Sequence, residues 1–445
     1  MIKETSLPDV MESGDSSDAP DIRRAVLVVR EERESDLGEE ISEFRGLAVA
    51  AGYRVAGVIR QRRGRDSRFQ VGRGKIEEAL AYRADRIIFY NPLSPGQHYN
   101  IRQEFGFSAM DRFNLILEIF ASRASSREAK LQVELARLSY EAPFVKRMVS
   151  QRKLSERAGF MGSGAYEESI YQDMRSRMAK IRETLKGVER SGAVRRNRRR
   201  EQGFDLVALA GYTNAGKSTL LNALTGSDVL EKDQLFTTLS PTTRAISSDQ
   251  DAAGRRVLLT DTVGFIDDLP HFFIKAFHST LSEISCADLI LLVADLSDPP
   301  NTLRRKMVTC HKVLWDCGAT APLITALNKV DLVPEGELEC RMEAISDLVH
   351  QPILVSARDS IGLSDLAGRI KAALLPWREV EITLPNTPLG CGELSRLYRW
   401  AEPLCVEFGQ DIRVRLRARD QVLDRLGLMA ADPRGDRDRR CIDQD

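Results

Sequence analysis

Along the first hundred residues after an acidic start, short apolar runs alternate with segments of helical spacing. RAVLVVR (24–30) reads as a buried strand and DLGEEISEFRGLAVAAG (36–52) as a helix closed by Gly52. YRVAGVIRQ, DRIIFYN and FSAMDR are further strands, and GRGKIEEALAYR, SPGQHYNIRQEFG and FNLILEIFASRA are the helices between and after them. Strands separated by helices of that length form a parallel sheet with helical cover. The pattern therefore predicts an α/β domain over 23–125.

From 126 the pattern turns wholly helical. SSREAKLQVELARLSYEAPF carries Leu131, Val133, Leu135 and Leu138 at helical spacing, GFMGSGAYEES (159–169) is a Gly-rich break, and a long polar helix follows to 200. Two helices joined by such a loop make an antiparallel pair, here 126–202. Alternation returns at 204: FDLVALAG, RRVLLTD, DLILLVAD, APLITALNK and PILVSA are strands, with helices such as KSTLLNALTG between them. This predicts a second α/β domain over 203–376, its sheet mostly parallel. EVEITLP, a helical LGCGELSRLYRWA and the alternating CVEFGQDIRVRLRAR suggest a small α+β appendage over 377–431. Residues 1–22 and 432–445 read as solvated, disordered tails.

Composition adds compartment and partner. With 42% hydrophobic and 29% charged residues the chain is of the soluble globular class, and no apolar run nears the roughly 20 residues of a membrane span. Seven cysteines without a C-x-x-C pair suggest neither a zinc ribbon nor a disulfide framework, so a reducing cytoplasm is the expected location. The net charge of zero hides an asymmetry: 146–200 holds 16 Lys/Arg against 6 Asp/Glu and ends in Arg195, Arg196, Arg198, Arg199 and Arg200. Such a run points to a polyanion, and RNA contact is favoured over a solvated face or hinge.

The chemistry is concentrated after 204. GYTNAGKST, Gly211 to Thr219, fits G-x-x-x-x-G-K-[ST] between a predicted strand and a predicted helix. In that setting the backbone of Gly211, Tyr212, Thr213, Asn214, Ala215 and Gly216 closes around phosphates. Lys217 reaches the β- and γ-phosphates, Ser218 offers its hydroxyl to Mg²⁺, and Thr219 continues the helix. Asp261 opens D-x-x-G at a strand end, so its carboxylate can hold Mg²⁺ through water while the Gly264 N–H meets the γ-phosphate. Asn328-Lys329-Val330-Asp331 follows another strand; the Asp331 carboxylate can accept both the N1 and N2 hydrogens of guanine, a donor pair adenine lacks. Ser356-Ala357-Arg358 then supports the base. The order and spacing of these motifs predict a P-loop GTPase, with GTP as substrate.

Three residues refine this. A threonine of QLFTTLSPTTR must close over Mg²⁺ and γ-phosphate; Thr238 is favoured, with Thr237 and Thr242 as rivals. With Ser218 and Asp261 it completes the expected metal set, and with Lys217 and Gly264 the expected catalytic set. Asn214 either helps hold a K⁺ beside the phosphates or only stabilises its loop. Phe265 follows Gly264 where many such enzymes carry a polar water-positioning side chain. An apolar ring there implies slow intrinsic turnover that a partner must accelerate.

GYTNAGKSTLLNALTG, FTTLSPTTR, DTVGFIDDLP with AFHSTLSEI, and NKVD resemble the HflX-type GTPases, as do GRGKIEEA, LSPGQHYNI and DRFNLILEIFASRASSREAKLQVELARLSY outside the generic motifs. GFMGSGAYEES followed by YQDMRSR is more similar to the family's archaeal branch. The resemblance implies a GTPase that binds the ribosome, chiefly the large subunit and its RNA, to split, rescue or silence it. It implies no DNA partner, and the chain is expected to be a monomer. The alternative is a slow regulatory switch for a protein partner or another RNA, with hydrolysis incidental. GRGK (72–75) lacks the spacing of a dinucleotide fingerprint, and the five histidines lack metal-ligand spacing, so no second active site is expected.

Overall fold

The structure, a computed structural model, describes residues 23–31, 38–155, 163–201, 204–226, 242–246, 256–267, 273, 276–374, 377–387, 390, 392–394, 397 and 402–419. The two tails expected at 1–22 and 432–445 lie outside these residues. By its internal contacts the chain forms two compact units: one ends at Ser122 and includes Lys146–Gln151, and the other takes Arg123–Val145 and the chain from Arg152 onward.

In the first unit, strands β1 (Arg23–Glu31), β2 (Tyr53–Arg62), β3 (Arg86–Phe89) and β4 (Met110–Asp111) form one parallel sheet in the order β2-β1-β3-β4. β1 is buried on both faces, which is why Ala25 to Val29 are uninterruptedly apolar. The connecting helices are α1 (Gly38–Ala50), α2 (Arg73–Ala81) and α3 (Pro95–Phe105), and α4 (Arg112–Arg123) follows β4. At α3 the Ser94 hydroxyl accepts from the Gln97 N–H, the Gln97 side chain accepts from the Ser94 N–H, and Gly106 ends the helix in the left-handed region. Val26, Val28, Ile59, Ile76, Ile87, Phe89 and Ile101 fill one side of the sheet.

His98 of α3 gives this unit an acid limit. Burial pushes its imidazole down to about 4. An unfolded histidine titrates near 6.5, so below that pH the unfolded chain takes up the proton more readily than the folded one. The stability carried by the neutral ring is therefore complete above pH 6.5 and is lost as pH falls toward 4. Urea unfolding of this unit at pH 5 is expected to show about 2 kcal/mol less stability from this group than at pH 7.5. His98→Gln should remove that part of the pH dependence; an unchanged pH profile would refute the assignment.

Two long helices follow: α5 (Arg127–Ser155), which belongs to the second unit except for Lys146–Gln151, and α6 (Ser163–Glu201). Val133, Leu135, Ala136 and Tyr140 of α5 and Met178, Ile181 and Leu185 of α6 are buried at helical spacing, and Arg177 pairs with Glu134 between the two helices. Two boundaries differ from expectation. α5 continues through Pro143 to Ser155, and α6 begins at Ser163, inside the segment expected to be a Gly-rich break. Pro143 removes one backbone donor without ending a helix of 29 residues.

The main sheet has six strands in the order β10-β9-β8-β5-β7-β6: β5 (Phe204–Gly211), β6 (Thr242–Ala245), β7 (Arg256–Asp261), β8 (Leu289–Asp295), β9 (Leu323–Asn328) and β10 (Ile353–Leu354). All neighbours are parallel except β6, which pairs antiparallel with β7. Helices α7 (Lys217–Thr225), α8 (His278–Ser285), α9 (Pro300–Asp316), α10 (Leu338–Ala344) and α11 (Leu363–Ala373) connect or follow the strands. Because β5 lies between β7 and β8, the chain leaves it in one direction and returns on the other side. That is the switch point at which open α/β sheets bind ligands. Strands β11 (Trp377–Pro385), β12 (Glu402–Phe408) and β13 (Asp411–Arg419) form a separate antiparallel sheet, whose buried Ile412, Val414 and Leu416 pack with Leu394 and Leu397.

Candidate functional site

The turn after β5 is built around two glycines. Gly211 has φ +152°, and a Cβ there would lie 2.3 Å from the Val293 carbonyl oxygen of β8. Gly216 has φ +85°, and a Cβ there would lie 2.3 Å from the Asn328 Nδ2 of β9. The ends of β8 and β9 thus hold the turn too closely for any side chain, and α7 starts directly after it. Asn214 stands at the exposed tip, also in the left-handed region at φ +62°.

Lys217 is buried, 7% exposed, and its Nζ donates to the carbonyls of Gly211 (3.1 Å) and Tyr212 (2.8 Å). Burial pushes this ammonium below its ordinary value, against the favourable charge of Asp261. The next residue reaches the other half of the site: Ser218 Oγ donates to Asp261 Oδ2 at 2.7 Å, joining α7 to the end of β7. A hydroxyl and a carboxylate oxygen are hard donors of the kind Mg²⁺ takes. Among the described residues no group of three or more His, Cys, Asp or Glu could enclose a metal. The donor set therefore fits an ion that keeps water and phosphate oxygens as its other ligands.

Beyond Asp261 the chain lies along the phosphate turn. The Phe265 N–H donates to the Gly211 carbonyl at 3.0 Å, and the Thr213 N–H donates to the Phe265 carbonyl at 2.8 Å. This backbone bridge brings Gly264 so close that a Cβ would meet Thr213 Cγ2 at 2.9 Å and Lys217 Nζ at 3.1 Å. The Phe265 ring is buried, 1% exposed, so the side chain at this position packs in the protein interior.

The base-side motifs converge through Asn328, at the end of β9. Its Nδ2 donates to the Ala215 carbonyl at 2.9 Å, and its Oδ1 accepts from the Ala357 N–H at 3.0 Å. One buried amide therefore ties the phosphate turn to the segment after β10. Lys329 sits in the left-handed region at φ +65°, and its Nζ pairs with Asp295 Oδ2 at 2.6 Å. Asp331 lies exposed in the single helical turn Val330–Leu332. Ser356 is buried, its hydroxyl accepting from the Asp359 N–H at 3.1 Å, and Arg358 is exposed.

All the expected site residues within the described segments thus gather at the carboxyl edge of the sheet; Thr238 and its rival Thr237 lie outside them. The other rival, Thr242, opens β6 and stands opposite Asp261 in the pairing register. Three participants were not foreseen from sequence. Asp295, which ends β8, is the partner of Lys329, and a carboxylate closing DLILLVAD was a legible signal. Asp267 is held by helix α9: Oδ1 accepts from Thr309 Oγ1 at 2.5 Å and Oδ2 pairs with Arg305 at 2.7 Å. Arg196, expected among the RNA-facing arginines, is buried and pairs with Glu283 of α8 at 2.8 Å.

The sequence has known relatives. Residues 38–121 match a family model described as GTP-binding GTPase N-terminal, 123–199 one described as GTP-binding GTPase middle region, and 206–329 one described as 50S ribosome-binding GTPase. The chain is 44% identical over 82% of its length to a GTPase HflX from Thermococcus kodakarensis, of which it covers 82%. It is 40% identical to a GTPase HflX from Caldanaerobacter subterraneus over 81% of this chain and 83% of that one. A crystal structure of a GTP-binding protein from Sulfolobus solfataricus in complex with GDP is 27% identical, with a TM-score of 0.45, covering 79% of this chain and 98% of that one. No described helix is long and apolar enough to cross a membrane.

Proposed function

The chain belongs to the HflX family of GTPases, and from that premise we propose that this P-loop enzyme works on the ribosome, binding the large subunit and its RNA. Gly211 to Thr219 bind the phosphates, with Lys217 on the β- and γ-phosphates and the Gly264 N–H on the γ-phosphate. Asn328 and Asp331 select guanine, while Lys329 and Ser356 to Arg358 flank the base. Ser218 and Thr238 would hold Mg²⁺ directly and Asp261 through water, and the ion would supply positive charge to the phosphates. Asn214, exposed at the turn's tip, is the place at which a K⁺ would sit.

The observation that carries the nucleotide reading is Asn328, whose one amide joins the phosphate turn to the Ser356–Ala357 segment. The ribosomal reading is supported by the 50S ribosome-binding family description and by the exposed arginines of α6 beside a GTPase. GTP and GDP then set different affinities for the subunit by ordering or releasing the segments around Thr238 and Gly264.

Two measurements test it. Filter binding with GTP, GDP, ATP and ADP should show only the guanine pair retained; equal affinity for ATP overturns the nucleotide reading. Sedimentation with purified large subunits and a non-hydrolysable GTP analogue should carry the chain into the pellet, and subunits should raise its GTPase rate. A chain left in the supernatant with an unchanged rate overturns the ribosomal reading.

A further inference from the structure

Asp267 stands three residues after Gly264 and two after Phe265, beyond the D-x-x-G motif and without an assigned role in the site. It is nevertheless fixed from three directions. Its N–H donates to the Tyr212 hydroxyl at 3.1 Å, its Oδ1 accepts from Thr309 at 2.5 Å, and its Oδ2 pairs with Arg305 at 2.7 Å. The Tyr212 side chain is itself seated on α9, with the Lys306 ammonium 5.3 Å from its ring centroid. Lys306 is turned to this place by Asp298, which receives its Nζ at 2.8 and 2.7 Å.

Both side-chain contacts of Asp267 come from one helix that carries none of the nucleotide motifs, while its N–H meets Tyr212 of the phosphate turn. α9 lies between β8 and β9, and Arg305, Lys306 and Thr309 project from neighbouring turns of it. The Gly264 turn is therefore restrained on both sides. Upstream stands Asp261 at the end of β7; downstream stand the Phe265 bridge and then the Asp267 cage. A glycine turn without that second anchor would sample many backbone positions, and its N–H would meet a γ-phosphate in only some of them. With an apolar ring at 265, the backbone of this turn is the part of the segment left to do the positioning.

We propose that Asp267 is a positioning residue for GTP hydrolysis: held by Thr309, Arg305 and Tyr212, it fixes the Gly264 turn where the γ-phosphate is met. This rests on the assignment of Gly264 to the γ-phosphate. The role proposed for Asp267 is indirect, through the Gly264 turn, so its loss should slow the chemical step without weakening ground-state binding.

The test uses the full chain carrying Asp267→Ala, Thr309→Val or both, with single-turnover GTP hydrolysis, GDP affinity and melting temperature measured for each. Asp267→Ala should lower kcat about tenfold and leave KM and GDP affinity within twofold. Thr309→Val removes one hydroxyl at nearly constant volume and should lower kcat about threefold. The double variant should match Asp267→Ala alone, because both changes break the same contact. A kcat within twofold of the parent in a folded Asp267→Ala chain overturns the proposal. So does a parallel fall of kcat, GDP affinity and melting temperature, which would mark a purely structural role. If Asp267→Ala does not fold, an unchanged kcat in Thr309→Val overturns it alone. A parent chain that fails to prefer GTP over ATP refutes the site reading instead, whatever the variants do.

Discussion

An Asp331→Asn chain is expected to lose GTP affinity by on the order of 10²–10³-fold and to accept xanthosine triphosphate in its place. A carboxylate presents two acceptors side by side, matching the N1 and N2 hydrogens of guanine. An amide presents one acceptor and one donor. Facing guanine, that donor would point at the N2 amino group, leaving two polar groups without partners at about 1–3 kcal/mol each. Xanthine carries a carbonyl at C2, so the same amide donor finds an acceptor there. Asp331 is exposed and is not part of the core, so the exchange should leave the fold intact. Competition binding with GTP, ATP and xanthosine triphosphate measures it. Retained GTP affinity would remove Asp331 from the base site.

Arg196→Ala is expected to destabilise the second unit by about 3–5 kcal/mol, the range for breaking a buried ion pair. The Arg196 and Glu283 side chains are only 9% and 19% exposed and meet at 2.8 Å. One turn earlier, a Cβ on Gly192 would lie 3.2 Å from Arg196 Nη1, so a glycine there makes room for the guanidinium to fold back. Removing the arginine leaves Glu283 as an uncompensated carboxylate beneath α6. Replacing both residues by leucine should recover most of the loss, since the penalty comes from the orphaned charge more than from the missing attraction. By contrast, Arg195→Ala and Arg198→Ala remove exposed side chains and should change stability by under about 0.5 kcal/mol. If α6 contacts RNA, those two should weaken subunit binding and flatten its salt dependence. Urea unfolding and sedimentation of the same four variants separate the two roles. Equal stability of the Arg196 and Arg198 variants would show the run to be uniform.

That contrast marks where sequence reading succeeds and where it stops. The phosphate turn was legible because its signature is local: a strand, a turn with glycines at both ends, and a helix starting at Lys217. The strand-end positions of Asp261 and Asn328 were legible because each closes an apolar run whose length fixes where the strand ends. Arg196 and Arg198 could not be told apart, since both stand in one polar helix and only the distant Glu283 distinguishes them. Asp267 was opaque for the same reason: its partners Tyr212, Arg305 and Thr309 are 38 to 55 residues away in sequence. β6 was missed because TTRA is too short and polar to read as a strand; it forms on β7, which supplies the pairing. The start of α6 was misplaced because glycines that lower helix propensity can still be carried by a helix whose later turns are buried.

The order β10-β9-β8-β5-β7-β6 also bears on when the site comes into being during folding. Gly211, Asp261, Asn328 and Ala357 span nearly 150 residues of chain, and they meet only after several parallel crossovers have closed. Parallel pairing over such distances is slow, because loop entropy is lost before any contact is gained. Isolated β5–α7 holds the phosphate-turn sequence, yet it lacks the Val293 carbonyl and the Asn328 amide that crowd the turn into shape. Nucleotide competence therefore requires β8 to have docked on β5 and β9 on β8. A ligand that binds only the completed sheet stabilises it by mass action, adding about 2.7 kcal/mol at a free concentration a hundred times its Kd. In a cell with abundant guanine nucleotide, the substrate of this enzyme is then also the ligand that keeps its sheet closed.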